Sequence, residues 1–110
     1  MKRFTIIAAM LLLAVTAKAE IDLQRMADAI RIAEGIHSKH PYGVLSVKVR
    51  NETEARQVCL RSIANNEKRW LAAGRTNSFI EFMADRWCPV ASDPVGHRNW
   101  IKNVTQYYQR

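Results

Sequence analysis

Glu34 is the residue of this sequence best placed for acid–base chemistry. If residues 22–34 form a helix, Glu34 lies on the same stripe as the apolar side chains, and Gly35 ends the helix directly after it. The apolar stripe consists of Leu23, Met26, Ala27, Ile30 and Ala33. The carboxyl group would face the apolar side at the negative end of the helix dipole, and both effects disfavour its ionised form. A raised pKa is what a general acid working near neutral pH requires. The alternative is a glutamate at a fraying helix end, swung out into water.

A second carboxylate is harder to find. Residues 35–50 contain no acid, and the next acids, Glu52 and Glu54, suit the first turn of a following helix. We interpret the histidines at positions 37, 40 and 97 as exposed loop residues without a specific role. The first two flank the proposed site at Glu34, however, and could bind a ligand or fix the position of the Glu34 side chain. No serine occupies a Gly-x-Ser-x-Gly elbow, which weakens a serine hydrolase interpretation. We expect no metal site and no organic cofactor.

The two cysteines, Cys59 and Cys88, have no partner Cys or His at metal-ligand spacing. In an oxidising compartment, two cysteines allow one pairing, so we expect a Cys59–Cys88 disulfide. It would close a loop of about thirty residues, which a chain-entropy estimate values at roughly 3–4 kcal/mol.

The first nineteen residues have the pattern of a secretory signal peptide: a basic start, an apolar centre and the small-x-small site Ala17-Lys18-Ala19. We therefore predict one domain at residues 20–110 that is periplasmic or secreted, with no membrane insertion after cleavage. Cleavage removes three of the seventeen basic residues and none of the ten acids, so the net charge falls from +7 to +4. That charge suits an anionic polymer. Nucleic acid is a poor candidate, because the basic residues are scattered and not interleaved with aromatics.

The elements that must position Glu34 are mainly helices. After the first helix, residues 36–43 indicate a loop and residues 44–50 a short extended segment. Asn51 caps a second helix that runs to residue 72 or 73 and stops at Gly74, and Ser78 with Glu81 forms a capping box for a third. Residues 89–96 indicate a loop, and a last helix spans about residues 98–108. The fold class is mainly α, a small helical domain with at most a short extended or β segment.

The order of these pieces resembles the lysozyme-like superfamily, including lytic transglycosylases and small muramidase-like domains. The resemblance covers most of the chain after residue 19 and is carried by three features. They are a helix that ends Ile32-Ala33-Glu34-Gly35, a loop and glycine-containing segment at residues 41–46, and a closing portion in which residues 79–89 and the turn at residues 92–94 precede a helix with residues 100–104. The resemblance implies a small lysozyme-like fold and an exported enzyme that cleaves peptidoglycan glycan strands.

Position by position, the resemblance assigns Glu34 as the catalytic acid. It places Tyr42, Gly43 and Ser46 in the segment that walls the sugar-binding cleft, and Tyr107 (or Tyr108) at a late-helix tyrosine near the acid. The segment Gly43-Val44-Leu45-Ser46 stands where transglycosylases usually have Gly-Leu-Met-Gln, so the hydrogen-bonding glutamine is missing.

A single-acid mechanism of the transglycosylase type fits this sequence better than a two-carboxylate hydrolase. We expect a monomer whose partner is the glycan strand. The alternatives are a non-catalytic exported module that binds wall glycans or a protein through the same groove, and an inhibitor or assembly factor of another wall enzyme.

Overall fold

The computed structural model describes residues 21–35, Tyr42 and residues 49–110. Within these residues it contains helices and no strand, which confirms the mainly α prediction. The helices are α1 (Leu23–Glu34), α2 (Glu52–Ala72), α3 (Phe79–Trp87) and α4 (Pro94–Tyr108). Most of the extended segment predicted at residues 44–50 lies outside the described residues, and its last two residues, Val49 and Arg50, are not in a strand.

The ends of α1 and α2 follow local signals. Asp22 caps α1 by accepting a hydrogen bond from the Arg25 amide, and Gly35 ends the helix at a φ of 95°. Asn51 caps α2 through the Glu54 amide at 2.9 Å. At the far end of α2 the backbone of Gly74, at a φ of 89°, lets two amides turn back onto the last carbonyls. This is a Schellman motif, so the predicted stop at Gly74 is confirmed.

The predicted capping box of α3 is present, since the Ser78 side chain accepts from the Glu81 amide and the Glu81 carboxylate accepts from the Ser78 amide. The start of α4 differs from the prediction. The helix begins at Pro94, four residues before the predicted start, because Asp93 caps it through the Gly96 amide at 2.9 Å and proline suits the first turn. The earlier start places His97 on the buried side of α4.

The helices pack in a closed order in which α1 contacts α2 and α4, and α3 contacts α2 and α4. The α1–α4 contact is antiparallel: the Asp22 amide donates to the Tyr108 hydroxyl at one end, and Trp100 contacts Glu34 at the other. The largest fully buried side chains are Met26, Ile30, Cys59, Ile63, Met83 and Val104. These side chains come from all of these helices, so the hydrophobic core lies between the helices. The C-terminal end of α1, with the half-buried Glu34, lies at the edge of this core. In the part of the chain that the structure describes, no helix is both long enough and apolar enough to cross a membrane.

The predicted disulfide is not formed, because both cysteines are free. Cys59 is fully buried in the middle of α2, whereas Cys88 follows α3 and is half-buried. A disulfide requires the two sulfur atoms to lie at about 2 Å in a specific geometry, and the packing of the helices does not bring them there. The stability of this structure therefore rests on its helix packing.

Candidate active site

The candidate active site is centred on Glu34, the last residue of α1. Its carboxyl group is half-buried and not splayed into solvent. The indole Nε1 of Trp100 on α4 donates to its Oε1 at 3.3 Å. Burial raises the pKa of Glu34 above its ordinary value of 4.5, and the hydrogen bond from Trp100, which favours the charged form, offsets part of that rise. A carboxylic acid with this balance retains a proton at higher pH than an exposed glutamate does.

Trp100 is itself fixed by a second tryptophan. Its ring stacks on that of Trp87, from the end of α3, with centroids 6.2 Å apart and planes 28° apart. Trp100 is only 7% exposed. The indole nitrogen of Trp87 is also buried, but it has no hydrogen-bond partner in the described part of the chain. The pair therefore supplies an apolar wall beside Glu34 with one N–H directed at the carboxylate.

Both thiol groups lie near enough to Glu34 to be affected by its charge. Burial raises the pKa of the Cys59 thiol to about 12, and the negative charge of Glu34 contributes a smaller part of that rise. Burial and nearby acids, Glu34 among them, also raise the pKa of Cys88. Both thiols are therefore protonated at neutral pH, and neither is an activated nucleophile.

A cluster of cationic and aromatic groups lies on the other side of the end of α1. Tyr42 is 5% exposed, and the guanidinium groups of Arg31 and Arg56 each lie 5.8 Å from its ring centroid. Arg31 also forms an ion pair with Glu52 and donates to the carbonyl of Gly35 at 3.1 Å. Arg31 therefore links the carbonyl group of Gly35, the residue after Glu34, to Glu52 at the start of α2.

The two candidate second acids are engaged elsewhere. Glu52 is paired with Arg31, and Glu54 accepts from the Arg50 guanidinium at 3.1 Å. Both lie in the first turn of α2, where a negative charge is favourable, as the sequence predicted. In the described part of the chain, neither forms a hydrogen bond or ion pair with Glu34 or Trp100.

Of the remaining predicted site residues, the structure describes Tyr42 and Tyr107. Gly43 and Ser46 lie outside the described residues, as do His37 and His40. Tyr42 is in the core, so it has no exposed ring for a sugar to contact. Tyr107 is half-buried, with Arg110 over its ring at 4.6 Å, and lies about 10 Å along α4 from Trp100, towards the opposite end of α1. Its predicted role as a tyrosine near the acid stays a prediction.

The third histidine, His97, has a structural place. Its Nδ1 lies 2.8 Å from the carbonyl oxygen of Cys88, and its Nε2 lies 3.7 Å from Asp85. It joins the first turn of α4 to the end of α3 and so helps to place Trp87 and Trp100. Among the described residues, no group of three or more histidine, cysteine or acidic side chains could hold a metal ion.

Sequence reasoning missed Trp100, Arg31 and Arg56 as neighbours of the site. Trp100 lies in the last predicted helix, and no pattern within one helix could pair it with an acid 66 positions earlier. Arg31 lies one turn before Glu34, which was the available signal for it. No family model, curated protein or solved structure matches this chain.

Proposed function

We propose that this protein is an exported enzyme that cleaves peptidoglycan glycan strands, with Glu34 as its single catalytic acid. The observation that carries the proposal is the setting of that carboxyl group: half-buried at a helix end, against Trp100, with a raised pKa. Perturbed carboxyl groups of this kind are typical of catalytic acids. The general acid of lysozyme is likewise a glutamate whose pKa is raised in an apolar pocket beside a tryptophan.

The chemistry divides into two proton transfers by one group. Protonated Glu34 donates its proton to the glycosidic oxygen between N-acetylmuramic acid and N-acetylglucosamine as the bond from that oxygen to C1 of the muramyl sugar breaks. The resulting carboxylate then accepts the proton of the muramyl 6-hydroxyl as its oxygen attacks C1. The product is a 1,6-anhydro sugar, and Glu34 is again protonated. Both roles suit a carboxyl group whose pKa lies closer to neutral pH than usual.

The engagement of Glu52 and Glu54 in ion pairs supports this one-acid scheme over a hydrolase. An inverting or retaining hydrolase needs a second carboxylate, placed to activate water or to attack the sugar. Each of the two nearest candidates in sequence already neutralises an arginine and a helix dipole. The muramyl 6-hydroxyl removes the need for a second group, because the substrate itself supplies the nucleophile.

The predicted compartment and charge agree with this substrate. The signal-like segment at residues 1–19 would deliver a domain of net charge +4 to the periplasm or exterior, where peptidoglycan is an anionic polymer. The scheme requires no metal ion and no organic cofactor. The domain would act as a monomer on the glycan strand.

The test is product analysis with a matched pair of variants. Wild-type protein, Glu34→Gln and the control Glu54→Gln are each incubated with purified peptidoglycan, and the released muropeptides are identified by mass spectrometry. We expect anhydro-muropeptides from the wild type and the control, and a loss of about a hundredfold or more in Glu34→Gln. Glutamine still offers an oxygen to Trp100, so the variant should remain folded.

Other outcomes identify the alternatives. Reducing-end products together with an inactive Glu54→Gln or Glu52→Gln would indicate a two-carboxylate hydrolase. Sedimentation of the wild type with peptidoglycan, without release of any product, would show a non-catalytic glycan-binding module. If the wild type neither binds peptidoglycan nor releases muropeptides from it, the remaining alternative is an inhibitor or assembly factor that binds a protein partner.

A further inference from the structure

We propose that Tyr42, clasped between Arg31 and Arg56, is a positioning residue that holds the end of α1 and thereby sets the orientation of Glu34. The proposal rests on the proposed function, because it concerns how the catalytic acid is placed. It replaces the expectation that Tyr42 contacts the sugar. The three side chains are referred to below as the arginine–tyrosine clasp.

The clasp joins two helices through one ring. Arg31 comes from α1 and Arg56 from α2, and each guanidinium lies within cation–π distance of Tyr42. Arg56 also donates from Nη1 to the Tyr42 hydroxyl at 3.3 Å. The ring is thus held by its faces and by its hydroxyl, and it is buried as deeply as the core residues around it.

Arg56 reaches the ring from a fixed position. Its guanidinium donates to Asp28 at 2.7 Å and to the side-chain oxygen of Gln24 at 2.7 Å, both on α1. These contacts tie α2 to the outer face of α1 and fix the plane of the guanidinium. A planar fork with several donors can meet all of these partners at once, which a lysine ammonium cannot do.

Arg31 connects Tyr42 to the end of α1, where Glu34 lies. It donates from Nη1 to the carbonyl oxygen of Gly35, the residue next to Glu34, and pairs with Glu52 at the start of α2. Loss of the Tyr42 ring would free one face of this guanidinium and loosen its hold on Gly35. The final turn of a helix frays most readily, so this restraint acts where Glu34 most needs one.

The backbone of Tyr42 gives independent support. Its φ is +65°, in the left-handed region that bulky residues rarely adopt. Such a conformation persists only where the surroundings determine it, and it is concentrated at functional sites. The two arginines that contact the ring are part of those surroundings.

The consequence for catalysis is a defect in rate and not in affinity. Tyr42 is buried, so its replacement removes no surface from the glycan. A displaced acid, however, loses alignment with the glycosidic oxygen, and misplacement by about 1 Å can cost a hundredfold in rate. Tyr42→Leu keeps an apolar side chain but removes the aromatic face and the hydroxyl. We expect its kcat to fall about tenfold or more with KM within about twofold of the wild type.

A measurement without substrate separates this proposal from the proposed function. The pKa of Glu34 is followed by NMR of ¹³C-labelled glutamate carboxyl groups, with the Glu34 signal assigned by its absence in Glu34→Gln. Within the described ranges, the titratable groups that interact with the charge of Glu34 are Cys59 from α2 and Cys88 after α3, and their thiols stay protonated across this titration. In Tyr42→Leu the pKa of Glu34 should fall towards 4.5, because a loosened helix end exposes the carboxyl group to water.

The control is Arg61→Met, which removes an exposed arginine of α2 outside the clasp and should leave the pKa of Glu34 and kcat unchanged. An unchanged pKa of Glu34 in Tyr42→Leu, or a raised KM with unchanged kcat, would overturn the proposal. If Tyr42→Leu does not fold, Arg56→Lys decides by the same titration, since it keeps the charge but loses the fork. A wild type inactive on peptidoglycan would refute the proposed function alone, and the titration would still report on the clasp.

Discussion

Trp87 and Trp100 allow the hydrogen bond at the candidate site to be measured by two chemically identical substitutions. The rings are stacked on each other, and both indole nitrogens are buried. Among the residues that the structure describes, only the N–H of Trp100 has a partner, the carboxylate of Glu34 at 3.3 Å. Trp→Phe deletes the same atoms at both positions. The difference between the two variants therefore isolates the polar interaction from the loss of ring volume.

The expected magnitudes follow from these contacts. Trp100→Phe removes part of a buried ring and Trp87→Phe part of a half-buried one, and each costs about 1–2 kcal/mol of stability through the space left behind. Trp100→Phe also loses a long hydrogen bond to a half-buried carboxylate, worth about 1 kcal/mol. Trp87→Phe instead removes a buried N–H without a partner, which returns about 1 kcal/mol or more. Trp100→Phe should thus be less stable than Trp87→Phe by roughly 2 kcal/mol at neutral pH.

The assay is urea or thermal unfolding of both variants near pH 7 and again well below pH 4.5. The gap should narrow at low pH, because the indole N–H binds the ionised carboxylate more strongly than the protonated acid. NMR titration should show the pKa of Glu34 raised further in Trp100→Phe and unchanged in Trp87→Phe. Equal stabilities at neutral pH, or a lowered pKa of Glu34 in Trp100→Phe, would refute the assignment of this hydrogen bond.

Three further predictions concern stability and reactivity. Because the pKa of Glu34 is raised in the folded state, ionisation of Glu34 lowers the stability of the protein as the pH rises from about 4.5 through that pKa. Glu34→Gln should therefore have a higher melting temperature than the wild type at pH 7, and this difference should disappear in acid. A thiol reagent at pH 8 should modify Cys88 in the native protein and Cys59 only after unfolding, and equal rates would contradict the burial of Cys59. Gly74→Ala should lower stability by about 1 kcal/mol in a melting experiment because of the positive φ, whereas Ala73→Ser, at ordinary φ, should not.

Most of the secondary structure could be predicted because its signals act over a few residues. The caps at Asn51 and Ser78 and the stop at Gly74 each satisfy backbone groups within one turn, so neighbouring residues determine them. The start of α4 was missed although Asp93 and Pro94 form a local signal of the same kind. Residues 89–96 contain two prolines and a glycine, which also favour a loop, but the cap at Asp93 starts the helix within this stretch.

Local signals also predicted part of the candidate site, whereas its long-range contacts could not be predicted from the sequence. The position of Glu34 at the end of an amphipathic helix followed from periodicity and Gly35 alone. Its tryptophan did not, because the contact joins residues that are adjacent only when α1 and α4 pack antiparallel. The expected disulfide failed for a related reason: the number of cysteines and the predicted compartment say nothing of where the thiols lie in the packed helices.

The helix caps, the apolar faces and the acid at the end of the first helix follow from the residue order, since each depends on residues within a turn or two. The burial of this acid against Trp100, the contacts of Tyr42 with two arginines and the separation of the cysteines follow from the packing of the helices. Burial and long-range pairing depend on how helices settle against one another. That arrangement is a property of the whole packed core, which no local pattern encodes.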